Sequence, residues 1–132
     1  MILVARLFPR SDLGTEVWVS DTVRERIGEY TAAERKQGAF LKKLELCATA
    51  GFAKYEGDTK CPIRYEWDGV YRIGLHADLF RVYGFYEDPS KRSFIAVDAL
   101  IKKGQKLTRH EKDRINEVAR VKETEDWSKR ED

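Results

Sequence analysis

The stretch "FRVYGFYEDPSKRSFIAVDALIKKGQKLTRHEK", Phe80 to Lys112, decides the fold. Two apolar runs alternate with period two, are split by the turn-rich "EDPSKR", and end on Lys102-Lys103. Runs of this length and β-branched, aromatic character read as strands. Working back, Val70 to Leu75 reads as a third strand, joined through Ala77-Asp78 as a two-residue turn. The strands over 70–75, 79–86 and 94–101 are joined by short connections, which predicts an antiparallel meander.

The turn at 77–78 fixes a register. Leu75 faces Phe80, Ile73 faces Val82 and Tyr71 faces Gly84, on an apolar side of the pleat. Arg72, Gly74, His76, Arg81, Tyr83 and Phe85 fall on the other side, with Arg72 opposite Tyr83 and Gly74 opposite Arg81. A slip of one residue would bury both arginines, so this parity is strongly specified. On the strand over 94–101 Ile95, Val97, Ala99 and Ile101 read as the apolar side, and Asp98 falls on the Arg81 side. The expectation is a core face against helices and an open cationic face with an aromatic in it. On an open face Arg81→Ala would cost only about 0.5 kcal/mol of stability.

Outside this region Ile2 to Phe8 reads as a strand ended by Pro9, and Val17 to Val19 as a short extended piece. Thr22 to Glu25 fits a capping box whose helix stops at Gly28. Thr31 to Glu34 fits a second, followed by Phe40, Leu41, Leu44, Cys47 and Ala48 on one face and a stop at Gly51. The pair predicts a helical hairpin. Residues 57–62 read as a linker. Thr108 to Glu111 fits a third capping box, leading a C-terminal helix with Ile115, Val118, Ala119 and Lys122 at i, i+3, i+4, i+7. One domain over 1–122 and a frayed charged tail over 123–132 are expected.

Composition sets outer bounds. The chain has 132 residues, 42% apolar and 36% charged, with a net charge of +2. That suits one globular domain with a charged surface and does not suit a disordered chain. Net charge so near zero makes its distribution the informative quantity. Cys47 and Cys61 have no motif spacing, so a reducing compartment and a buried Cys47 thiol are expected. With His76 and His110 as the two histidines, no zinc spacing arises. "MILVARLFPR" lacks a basic n-region and a cleavage site, and no transmembrane stretch is seen. A cytoplasmic protein without membrane attachment is the expectation.

The cationic face admits two readings. Guanidinium groups grip phosphate bidentately, lysines add point charges and aromatic rings stack on bases. Gly74 leaves a gap for close approach of a backbone. Equally, Arg72 stacked on Tyr83 and Arg81 paired with Asp98 would make a solvated face with no ligand.

"VYRIGLHADLFRVYGFYED" and "FIAVDALIKKGQKLTRHEKDRINEVAR" together resemble the RelE/ParE toxin superfamily, nearer its HigB-like, phage Gp49-like branch. The likeness lies in a basic strand, an aromatic-Arg-aliphatic strand, an aliphatic strand ending in Lys-Lys, and a Thr-capped helix. "IKKGQKLT" is its most specific piece, and the N-terminal half agrees only in a strand followed by a helical hairpin. The resemblance implies an α+β fold: a small twisted antiparallel sheet with an N-terminal helical hairpin and a C-terminal helix, helices on one side.

It also implies a type II toxin that cuts mRNA, often ribosome-bound, without metal or other cofactor, and that is silenced by a cognate antitoxin. The ribose 2′-hydroxyl would attack the adjacent phosphate, with basic residues activating it and neutralising phosphoryl charge. Arg81 would hold the scissile phosphate. Arg72, Lys102 and Lys103 would complete the basic set, and His76 would act as acid or base. Tyr83 would stack on a base, and Lys106 would bind RNA.

Gly74 where a second basic residue is common, Leu79 where glycine is common, and no tyrosine after Lys103 depart from the pattern. They leave room for two alternatives: a non-catalytic, ParE-like toxin acting on DNA gyrase, or a domesticated phage-derived module that binds nucleic acid or protein.

Overall fold

The computed structural model describes residues 1–9, 11–33, 39–56, 63–75, 80–101 and 108–130. The chain is α+β. Its strands are β1 (Ile2–Phe8), β2 (Glu16–Ser20), β3 (Ile63–Tyr65), β4 (Tyr71–Leu75), β5 (Phe80–Tyr86), β6 (Ser93–Ile101) and β7 (Trp127–Lys129). Its helices are α1 (Asp21–Ala33), α2 (Ala39–Ala50) and α3 (Arg109–Thr124), with a 3₁₀ turn at Phe52–Tyr55.

The meander β4-β5-β6 forms as the alternation dictates. All five β4–β5 pairs are those expected, including Arg72 with Tyr83 and Gly74 with Arg81. The turn at 77–78 lies outside the described residues. The sheet around the meander is larger than expected, and it is mixed. The described strands run in the order β3-β4-β5-β6-β2-β1-β7, with β2 parallel to β6 and β7 parallel to β1. The small all-antiparallel sheet is therefore corrected to a seven-stranded mixed one.

Two of the added strands have physical causes in the sequence. Ile63-Arg64-Tyr65 closes a hairpin on β4 through Asp68 and Gly69, both in the left-handed region at φ 51° and 81°, which an Asp-Gly pair adopts readily. The supposed tail is β7. Glu125 ends α3 in a left-handed cap, Ile2 donates its N–H to Asp126, and Trp127 packs its ring against Phe85.

The helical half differs at both ends of α1. Gly28 does not end a helix; α1 continues to Ala33, and α2 starts at Ala39. Val23, Ile27 and Tyr30 form one stripe at i, i+4, i+7 across Gly28, and Tyr30 stacks on Phe80 with centroids 4.8 Å apart. Burying that stripe outweighs the roughly 1 kcal/mol that glycine costs in a helix. The start of α1 is also two residues earlier than expected, because the Ser20 hydroxyl, rather than that of Thr22, accepts from the Val23 N–H at 3.2 Å.

Helices cover both faces of the sheet, where one face was expected. On the first, α1, α2 and the 3₁₀ turn pack Val23, Leu44 and Phe52 over Val17, Val82 and Phe94. On the second, α3 packs Ile115, Val118 and Val121 over Val4, Trp18, Tyr83 and Phe85. A β-bulge in β6 is a large part of the reason. Tyr83 pairs with Asp98 but Gly84 with Ala96, so Val97 is the extra residue. Ile95 and Val97 turn to the α3 side, while Phe94, Ala96 and Ala99 serve the other. The single apolar side expected for β6 is thus divided between two cores.

Cys47 is buried as expected, but as a disulfide-bonded cysteine rather than a free thiol. Cys61, the other cysteine of the sequence, lies outside the described residues.

Candidate functional site

Arg81 leaves β5 on the face that α3 covers and is only 1% exposed. A buried guanidinium requires a counter-charge, and Glu111 supplies it from the first turn of α3. Glu111 Oε2 accepts from Arg81 Nη1 at 2.8 Å and from the Tyr83 hydroxyl at 2.5 Å. Its Oε1 accepts from the Thr108 N–H at 3.3 Å, while Thr108 Oγ1 accepts from the Glu111 N–H at 3.2 Å. The capping box read in the sequence is therefore also the arginine's counter-ion: one carboxylate starts the helix and clamps it to β5.

Burial pushes the Tyr83 phenol far above its ordinary range, and the hydrogen bond to Glu111 pushes it the same way. The hydroxyl therefore stays protonated and donates; it cannot serve as a base near neutral pH. Its ring lies in the core beneath α3, closed to a stacking base.

Arg72 shares the face of Arg81, two residue pairs along the β4–β5 ladder. Its Nε lies 3.3 Å from Glu66 Oε1, and the side chain is 11% exposed. Asp98 pairs with Arg114, whose Nη1 meets both carboxylate oxygens at 2.9 and 2.8 Å. Arg114 also donates from Nε to His110 Nε2 at 2.9 Å, which fixes His110 as an acceptor on the exposed side of α3. Trp67 Nε1 donates to Asn116 at 2.7 Å and ties the β3–β4 turn to the same helix.

Of the residues singled out in the sequence, Arg72, Arg81 and Tyr83 are brought together. His76, Lys102, Lys103 and Lys106 lie outside the described residues. Phe80 pairs with Ile101, so β6 ends beside the start of β5. The face was expected to be open; it is covered by α3, and Arg81 meets Glu111 rather than Asp98.

Sequence reasoning read Glu111 only as a cap. The missed signal is its spacing, since Glu111, Ile115 and Val118 fall at i, i+4, i+7, which puts the carboxylate on the buried stripe. No family model, no curated protein and no solved structure matches the chain.

Proposed function

We propose that this chain is a type II toxin of the RelE/ParE kind that cuts mRNA with the substrate's own 2′-hydroxyl. One observation carries the reading. Arg72 and Arg81 share a face of the β4–β5 ladder, and Ile101, the last residue of β6, pairs with Phe80 next to Arg81; the sequence that follows, 102–106, holds three lysines. A basic cluster there would neutralise the charge that builds on a phosphoryl group during transesterification. In this reading Arg81 holds the phosphate, Arg72 and Lys106 steady the strand, Lys102 and Lys103 stabilise the dianionic transition state, and His76 moves the proton. The reading calls for no metal. Its partners are mRNA, including ribosome-bound mRNA, and a neutralising antitoxin.

Glu111 occupies the position a phosphate would take on Arg81, so cleavage requires the first turn of α3 to swing away. That occupancy is also the observation favouring a second reading, in which Arg81 is a structural group and the chain binds a target such as gyrase without cutting RNA.

The test is induced expression with mapping of mRNA ends. New ends within codons, lost on Lys102→Gln/Lys103→Gln with the thermal unfolding midpoint unchanged, support the nuclease. Intact mRNA with blocked supercoil relaxation selects the gyrase reading. Normal growth with abundant folded chain removes both.

A further inference from the structure

The turn between β5 and β6 places one of its own cations in an aromatic corner, on the face of the sheet opposite Arg81. Tyr71 of β4 and Tyr86 of β5 both pack on the side that α1 and α2 cover. Their ring centroids lie 4.8 Å apart with planes at 73°, so the two rings form adjoining walls. Lys91 Nζ sits 5.4 Å from each centroid. Glu56, just after the 3₁₀ turn, closes a third side: both of its carboxylate oxygens accept from Lys91 Nζ at 3.0 Å. Ring faces and a carboxylate are groups that attract an organic cation.

The lysine ammonium neither fills nor completes this corner. Van der Waals contact falls at about 3.5–4.0 Å, so a nitrogen 5.4 Å from each centroid leaves about 1.5 Å in front of both walls, the depth a methyl group adds. Tyr86 is 9% exposed, and its buried hydroxyl has no hydrogen-bond partner among the described residues. Glu56 and Tyr71 both act on that hydroxyl, which places it at the same corner. A buried polar atom left without a partner calls for a group that the chain does not supply. Lys91 is also a weakly held occupant. Its backbone is left-handed at φ 59°, a region lysine rarely takes. The Lys91 and Glu56 side chains are 36% and 26% exposed, so solvent screens their attraction.

We propose that the corner formed by Tyr71, Tyr86 and Glu56 is a binding site for a methylated ammonium group, and that Lys91 is its internal competitor. N-methyl groups fill the space before the two rings, the positive charge meets Glu56, and an acceptor oxygen near the nitrogen takes the Tyr86 hydroxyl. A primary ammonium gains nothing over the Lys91 already there, and an anion would face the Glu56 carboxylate. The same chemistry is offered by a free quaternary amine and by a methylated lysine of another protein. The site lies across the sheet from Arg81 and is independent of RNA cleavage.

The experiment titrates the full chain by calorimetry with choline and, separately, with a glycine-flanked trimethyllysine peptide. Lys91→Gly is the informative variant, because it removes the competitor and glycine suits a left-handed φ. At least one probe should bind Lys91→Gly tenfold or more tightly than it binds the unaltered chain. Glu56→Gln in that background should reverse the gain, and the neutral isostere of choline, with carbon in place of nitrogen, should bind at least tenfold more weakly than choline. Tighter binding of choline assigns the site to free amines; tighter binding of the peptide assigns it to modified protein tails. Absence of binding by both probes to folded Lys91→Gly overturns the proposal. So does equal binding of the isostere, or an affinity indifferent to Lys91. If Lys91→Gly does not fold, the unaltered chain decides: saturating choline or peptide should shift the Lys91 ε-methylene resonance, and a resonance unmoved by both overturns the proposal.

Discussion

Arg81 Nη1 and Glu111 Oε2 meet at 2.8 Å with their side chains 1% and 0% exposed. The pair joins the centre of the sheet to the first turn of α3. Removing one partner leaves a buried charge without its counter-charge, which costs about 3–5 kcal/mol. Arg81→Ala and Glu111→Ala should each lower stability by that amount in urea unfolding, in contrast to the 0.5 kcal/mol expected for an open face. Arg81→Met with Glu111→Leu should recover part of the loss, because a packed apolar pair needs no counter-charge but leaves the Tyr83 hydroxyl and the Thr108 N–H without their acceptor. A loss below 1 kcal/mol for either single variant would show that the pair is solvated.

The consequence for function is that loss of activity in Arg81→Ala cannot separate catalysis from folding. Lys102 and Lys103, which precede the helix, are the better probes.

What the sequence made legible was local. The β4–β5 register followed from a period-two pattern with arginines on one side, where a slip would bury charge. The Thr108 capping box followed from hydroxyl and carboxylate at a fixed spacing. The bulge at Val97 was not legible, since "FIAVDA" offers an apolar residue at either parity and nothing marks the extra one. Because that bulge shifts Ile95 and Val97 to the α3 side, the second core was hidden with it, and an arginine awaiting a buried partner read as an open cationic surface. Strands β3 and β7, three residues each, gain their stability from long-range pairing, which short sequence windows do not carry.

Gly84 sits at the bulge, paired with Ala96. A Cβ there would overlap the Ile95 carbonyl oxygen and come within 2.8 Å of the Phe94 ring and 2.9 Å of the Ala96 Cα. Backbone atoms of a central strand have little freedom to retreat. Gly84→Ala should therefore cost about 3 kcal/mol. A purified variant with an unchanged denaturant midpoint would mean that the bulge migrates at little cost.

The disulfide at Cys47 anchors α2, which packs on the Val17 side of the sheet. Cross-linking restricts the unfolded chain, and its loss from a domain of this size costs about 2–4 kcal/mol. Reductant should lower the unfolding midpoint accordingly, and alkylation of the untreated native chain should label no cysteine. Full labelling without reductant would restore the free, buried thiol.

Tyr83 and Tyr86 give stability an alkaline limit. Burial raises both phenols well above the ordinary value of 10, reinforced by the hydrogen bond to Glu111 at Tyr83 and by the charge of Glu56 at Tyr86. A group whose native pKa is raised contributes stability that is complete below its unfolded value and is lost as pH climbs from there toward the native one. Stability should therefore hold up to about pH 10 and then fall, by about 1.4 kcal/mol per pH unit for each tyrosine that ionises only on unfolding. The Lys91 ammonium, raised by its hydrogen bond to Glu56, titrates with the same sign. The two tyrosines separate by their hydroxyls. Tyr83 donates to Glu111, so Tyr83→Phe should cost about 1–3 kcal/mol at neutral pH by leaving the carboxylate short of a donor. The Tyr86 hydroxyl is buried and finds no hydrogen-bond partner among the described residues, so Tyr86→Phe should be neutral or stabilising there. Both substitutions should reduce the alkaline slope by about one proton. Urea unfolding across pH 7 to 11 reads all of this at once, and an unchanged slope in Tyr83→Phe would mean that its phenol ionises within the folded chain.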